Sequence, residues 1–196
     1  KLDGPTLANI YLGRITNWND AAIKRLNGSL NLPDLKITPV YRSDVSGTTY
    51  NFTEYLASVS PAFKSEVGVN TSVSWKAGVG ARGSSGVAGV VKSTAGALTY
   101  VDVAYSIANK FQFAVIRNRA GKFATPGLRG INAAVSKLPK KVTSLQQLKI
   151  VDPLVDPTSD GGRASGRVHV LMPVLPAYGA AGLQTGTGWN PDRIAR

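Results

Sequence analysis

Arg42, Asp44, Ser46, Gly47 and Thr48 fall in one short run, Tyr41-Arg42-Ser43-Asp44-Val45-Ser46-Gly47-Thr48-Thr49, which brings a cation, an anion, hydroxyls and a glycine together. Such a set can hold a small oxyanion: the guanidinium supplies charge, the hydroxyls supply donors, and a glycine lets the backbone come close. Its position depends on what flanks it. Upstream, Ile37, Pro39, Val40 and Tyr41 read as a short strand, with Pro39 suggesting an edge or entry position. Downstream, Phe52, Tyr55, Leu56 and Val59 keep the i, i+3, i+4, i+7 spacing of a buried helical face until Pro61 stops it. The polar run therefore belongs at a strand-to-helix turn. Ser46 is then the N-cap, and the N–H groups of Gly47, Thr48 and Thr49 face outward with the positive end of the helix dipole behind them.

A simpler reading uses the same residues: Ser46 only caps a helix, and Arg42 only pairs with Asp44 at the surface. Asp44 separates the two. A carboxylate inside an anion site repels the ligand unless the ligand has a proton to give, so Arg42 with Asp44 favours protonated phosphate over sulfate.

The run Arg42 to Thr49, followed by Asn51-Phe52-Thr53-Glu54-Tyr55-Leu56, resembles the phosphate-binding receptor of the bacterial high-affinity phosphate ABC transporter. Three further blocks agree in order and spacing. They are Leu2-Asp3-Gly4 through Ile10-Tyr11-Leu12-Gly13 with Trp18-Asn19-Asp20, then Trp75 with Gly78, Gly80, Gly83, Gly86 and Val87, then Gly96 to Tyr105. The resemblance covers roughly the first three quarters of the chain. It implies an α/β fold: a type II periplasmic-binding-protein-like lobe, a mixed sheet flanked by helices, with an incomplete second lobe. It divides the chain into a nearly complete phosphate-receptor second lobe at 1–118 and, at 119–196, a remnant of the first lobe with a poorly patterned tail. It implies that Arg42, Asp44, Ser46, Gly47 and Thr48 contact inorganic phosphate, that no cofactor or metal is needed, and that the partner is a membrane permease. It also implies a periplasmic or extracellular location, with or without a membrane anchor in a segment preceding Lys1. Val45 departs from the family's usual glycine, which stiffens or tilts the loop.

Composition narrows the alternatives. The chain has 196 residues, no cysteine, one histidine and a formal charge of +12. Without cysteine there are no disulfides, thiolate metal sites or cysteine nucleophiles. No stretch of 18 apolar residues occurs, so no segment reads as a membrane span. The positive charge belongs to residues 1–150, and no acid occurs between Asp102 and Asp152, although nine basic residues lie there. Such a run attracts anions at long range. A basic nucleic-acid-binding domain is one alternative, but interleaved aromatics and recognisable nucleic-acid motifs are missing, so no nucleic-acid partner is expected. A hydrolase would need His169 beside Ser46, and Ser46 lacks the glycine of a nucleophile elbow at position 44.

The other alternative is a dinucleotide-binding enzyme. Gly78-Val79-Gly80-Ala81-Arg82-Gly83 is a literal G-x-G-x-x-G, and Asp102 lies where a ribose-binding acid would sit. Against it, the apolar run before Gly78 is short, and Gly86 and Gly89 weaken the helix that should follow.

Elsewhere, Leu7, Ile10 and Tyr11 predict a first helix with Thr6 as its cap, and Asn19 or Asp20 caps a second that carries Ile23 and Leu26 inward. Residues 61–67 read as a short helix closed by Gly68. Val73 and Trp75 alternate as a strand, and Ala97, Leu98, Tyr100 and Val101 form another. A helical turn is expected at 105–110, one strand through Phe111, Phe113, Val115 and Ile116, an amphipathic helix at 126–138 and a strand at 168–175. After Pro153 the pattern departs from that of the resembled family.

Overall fold

A computed structural model describes residues 1–124 and the backbone of residues 171–175. The helix expected at 126–138, His169 and most of the segment 119–196 lie outside the described residues. In chain order the elements are β1 (Leu2–Asp3), α1 (Gly4–Tyr11), α2 (Ala21–Leu26), β2 (Thr38–Arg42), α3 (Gly47–Val59), α4 (Pro61–Glu66) and β3 (Val79–Ala81). They are followed by α5 (Gly83–Ser93), β4 (Ala97–Asp102), α6 (Val103–Ala108), β5 (Gln112–Phe113), β6 (Ile116–Arg117), β7 (Phe123–Ala124) and β8 (Leu171–Leu175).

One sheet runs in the order β3-β2-β4-β8-β5. β2 is parallel to β3 and β4, and β8 is antiparallel to β4 and β5, so the sheet is mixed. The short sheet β1-β6-β7 pairs Leu2 with Ile116 and Asp3 with Arg117. Helices cover both faces of the larger sheet. On one side α1 and α3 bury Leu7, Ile10, Tyr11, Phe52 and Leu56 against Ile37, Leu98 and Tyr100. On the other, α5 buries Val87, Ala88 and Val91 against Val40, Ala97 and Val101.

Several local expectations are met: Ser46 caps α3, Asp20 caps α2, and α4 is followed by Gly68 at φ +79°. Others are corrected. The first helix is capped by Asp3, whose Oδ1 accepts the Thr6 N–H at 2.9 Å, not by Thr6. Of the edge or entry position that Pro39 suggests, only the entry holds: β2 is interior, and Pro39 is its second residue. Pro39 is tolerated there because Thr38 turns its N–H to Gly96 on the β4 side, and the β3 ladder starts only at Val40. Val73 and Trp75 form no strand; Trp75 joins a ring cluster with Tyr11, Tyr41, Phe52, Phe63 and Tyr100. The strand predicted from Phe111 to Ile116 is broken into β5 and β6, which belong to different sheets, with buried Ala114 between them.

Candidate anion-binding site

The helix that follows β2 packs on one face of the sheet and the helix that follows β3 on the other, which makes the crevice position beyond the carboxyl ends of those strands a topological switch point. In open α/β sheets this is where ligands bind. Residues 42–48 line it from β2 into α3.

Ser46 is extended (φ −146°, ψ +125°), and its Oγ accepts the Thr49 N–H at 3.3 Å. Its own N–H donates to Thr71 O at 2.9 Å, which fixes the loop from behind. Thr49 is fully buried, so its amide serves the cap and does not face outward as the sequence suggests. Gly47 and Thr48 remain. They are the first two residues of the helix, and their N–H groups have no acceptor among the described residues. A Cβ built on Gly47 would meet no atom within 4 Å, so its bareness opens onto free space and not onto packed protein.

Arg42 and Asp44 face each other in a two-pronged ion pair, with Nε to Oδ1 at 2.7 Å and an Nη to Oδ2 at 2.5 Å. The side chains are 14% and 26% exposed, more enclosed than an ordinary surface pair. Asp44 Oδ1 also accepts the Gly83 N–H at 3.0 Å, at the start of α5. The Arg42 hydrogen bonds, and then the Gly83 amide, hold the Asp44 carboxyl far below the usual carboxylate range. The same hydrogen bond to Asp44 raises the Arg42 guanidinium above its ordinary value. Two of the five guanidinium N–H donors are spent on Asp44 and three remain. Both components of the simpler reading, the Ser46 cap and the Arg42–Asp44 pair, are therefore present, and three guanidinium N–H groups and the Gly47 and Thr48 amides are left over. Asp44 is placed to aim Arg42. For a ligand proton it keeps only the spare acceptor capacity of Oδ2, on a carboxylate with little affinity for protons.

The glycine motif serves the crevice in a way the dinucleotide reading did not foresee. Gly78 and Gly80 lie before and within β3, not between a strand and a helix, so the fingerprint lacks the turn that cradles a pyrophosphate. Gly78 has φ +107°, and a Cβ there would come within 2.1 Å of Pro39 O. At Gly80 a Cβ would come within 2.9 Å of the Tyr41 ring. Both let β3 press against β2. Gly83 (φ +70°) turns the chain so that its amide reaches Asp44. Asp102, the supposed ribose acid, instead caps α6, where it accepts the Tyr105 N–H at 2.7 Å. Sequence reasoning missed Tyr100, whose hydroxyl accepts the Arg42 N–H at 3.1 Å and lies 2.7 Å from Thr49 Oγ1. The available signal was a tyrosine in the middle of a strand-like run, since a buried phenol needs a polar partner.

Comparison with known proteins agrees with this architecture. Residues 1–182 match the family model described as a PBP superfamily domain. The phosphate-binding protein PstS of Xylella fastidiosa is 48% identical over 136 residues, 69% of this chain and 37% of the relative. That of Methanocaldococcus jannaschii is 41% identical over 143 residues, again 69% and 37%. The chain thus spans well under half the length of these relatives. A human phosphate binding apolipoprotein superposes with a TM-score of 0.57 at 18% identity, over 89% of this chain and 53% of the other. A high-affinity periplasmic phosphate-binding protein, PfluDING, superposes at 0.51 and 22%, over 89% and 51%. At those identities the superpositions speak for the fold alone. With the family model matched over most of its length, the chain belongs to the PBP superfamily.

Proposed function

We propose that this chain binds inorganic phosphate reversibly and without chemistry, as part of the solute receptor of an ABC-type phosphate uptake system. The observation that carries the reading is the pair of open amides at Gly47 and Thr48 beside the Asp44-clamped Arg42, at the positive end of a thirteen-residue helix. Arg42 supplies the charge. Gly47 and Thr48 supply fixed donors, Ser46 has its hydroxyl proton to give, and Asp44 orients the guanidinium. The names of the 41–48% identical relatives support phosphate as the ligand. Their role extends to this chain the expectation of a permease partner and a periplasmic or extracellular site of action. No helix among the described residues is long and apolar enough to cross a membrane.

We assign residues 1–118 to the second, cradle-bearing lobe, and the part after it to the first lobe and tail. The passage from β5 to β6, where the chain changes sheets, supports a boundary there, and two strands cross it: β1 pairs with β6 in the small sheet, and β8 returns to sit between β4 and β5 in the larger one. The donors described all come from one side of the crevice. An anion held on one side stays partly hydrated, and each net hydrogen bond is then worth only about 0.5–1.5 kcal/mol, or more where charged. For the 196-residue chain alone we expect a phosphate constant weaker than micromolar, that is, less favourable than about −8 kcal/mol. Calorimetric titration with phosphate tests this, with Arg42→Ala as the control and a phosphoester incubated alongside. Saturable heat that Arg42→Ala abolishes, with no ester turnover, is expected. Heat indifferent to Arg42, or release of phosphate from the ester, would overturn the reading.

A further inference from the structure

The backbone ladder between β2 and β4 has two pairs, Thr38 with Ala97 and Pro39 with Leu98, and it ends there. Toward the crevice, β4 satisfies β2 with side-chain hydroxyls instead. Thr99 Oγ1 donates to Val40 O at 2.9 Å, and the Tyr100 hydroxyl accepts the Arg42 N–H at 3.1 Å. The same phenol oxygen lies 2.7 Å from Thr49 Oγ1, in the first turn of α3. One atom therefore ties the backbone of the residue that carries the charge to the helix turn that offers the amides. Tyr100 is fully buried, and its ring stacks on Phe52 with centroids 4.3 Å apart and planes 19° apart. A ring held in this way cannot follow a shift of either partner, so the phenol acts as a spacer of fixed length.

Building on the phosphate reading, we propose that Tyr100 is a positioning residue of the cradle: its hydroxyl sets the separation between the Arg42 guanidinium and the Gly47 and Thr48 amides. The ligand need not touch it. With the hydroxyl removed, the Arg42 amide has no acceptor, the end of β2 moves relative to α3, and donors that should converge on one tetrahedral anion no longer do so.

The test uses the 196-residue chain and the variants Tyr100→Phe, Thr49→Val, their double mutant and Ile23→Val. Ile23 is a buried member of the same core with no part in the crevice, so it reports destabilisation alone. Without ligand, hydrogen exchange at the Arg42 amide is expected to quicken at least tenfold in Tyr100→Phe and to stay unchanged in Ile23→Val. With inorganic phosphate, titration of the Gly47 and Thr48 amide resonances is expected to show binding five- to tenfold weaker in Tyr100→Phe. The double mutant should be little weaker than either single one, and Ile23→Val should bind as the parent does at a lower melting temperature. Unchanged Arg42 exchange, unchanged affinity in Tyr100→Phe, or an equal loss in Ile23→Val would each overturn the proposal. If the parent amides ignore phosphate, the phosphate reading fails, and the Arg42 exchange result still decides whether Tyr100 positions the cradle.

Discussion

The N-termini of α3 and α5 open onto the same crevice with similar electrostatic character and different occupants. Each helix is long enough to present a positive end, and each begins at a glycine that follows a strand and a short turn. At α5 the N-cap residue, Arg82, offers no side-chain bond, and the first amide is taken by the protein's own carboxylate, Asp44. At α3 the cap is internal, Ser46 satisfying Thr49, and the first two amides are left over. One helix end is thus occupied by a permanent carboxylate, and the first amides of the other are left open, which on the phosphate reading is where the ligand sits. The contrast explains why an acid can stand in an anion site at all. Its charge is answered by Arg42 and by the α5 amide, so it orders the cation without cancelling the field at α3.

The most direct way to break the contrast is Arg42→Ala. It removes the only cation described in the clamp and leaves Asp44 facing the open amides with the α5 amide alone to answer it. Phosphate affinity should fall by roughly 2–5 kcal/mol, about thirtyfold or more, which calorimetry will read as loss of detectable binding. Asp44→Asn is milder. The amide keeps the shape, loses the charge and turns an NH2 toward Arg42 or Gly83, so the guanidinium is no longer held by two prongs. Affinity for phosphate and sulfate should fall together, by about 1.5 kcal/mol or roughly tenfold. If competition assays show the preference for phosphate over sulfate narrowing instead, the ligand's proton rests on Asp44 Oδ2, and Asp44 has a second role beyond aiming Arg42.

The parts of this arrangement that could be read from the chain are those written locally. Ser46 as cap, the apolar face of Phe52, Leu56 and Val59, and the strand before Arg42 are set by neighbours within a turn or a few residues, and period and capping chemistry reveal them. What escaped is what the fold brings from afar. Tyr100 lies 58 residues from Arg42, and Gly83 lies 39 from Asp44. A strand of three residues containing a glycine, β3, has no periodicity to detect, whereas Val73 and Trp75 have an alternation that the aromatic cluster overrides. The Phe111 to Ile116 run has strand composition throughout, and nothing local marks the change of sheet at Ala114. The glycine fingerprint failed for a related reason. Gly78 and Gly80 answer to the closeness of β2, and a motif of spacing cannot tell that from closeness to a pyrophosphate.

Paired glycine substitutions sharpen the comparison. Gly83 needs a positive φ, so Gly83→Ala should cost about 1 kcal/mol of stability, read as a lower denaturation midpoint, and should loosen the Asp44 clamp. At Gly47 there is neither a positive φ nor a close atom, so Gly47→Ala should leave stability unchanged or slightly raised. On the phosphate reading its methyl group would take up open space next to the free amides, so phosphate binding should weaken although the fold does not. Equal effects of the two variants on stability and binding would mean that the two helix ends do not differ as described.

The smallest expected effect comes with mild acid. The Asp44 pKa in the folded chain lies far below its unfolded value, so its contribution to stability is complete above about pH 4–5 and is lost only as pH falls on through the folded value. Between pH 7 and pH 5 the Arg42–Asp44 clamp should therefore not change. Phosphate itself takes up a proton in that range, so a binding curve would mix two titrations. The clean reading is the Arg42 Nε–H resonance of the ligand-free chain, which should hold its shift to pH 5 and move only in strong acid. Movement of that resonance near pH 6 would mean that Asp44 takes up a proton far more readily than a carboxylate bound by two guanidinium donors and a helix amide should. The acid would then be free to meet a ligand's proton, and the difference between the filled helix end and the open one would have to be drawn at Gly83 alone.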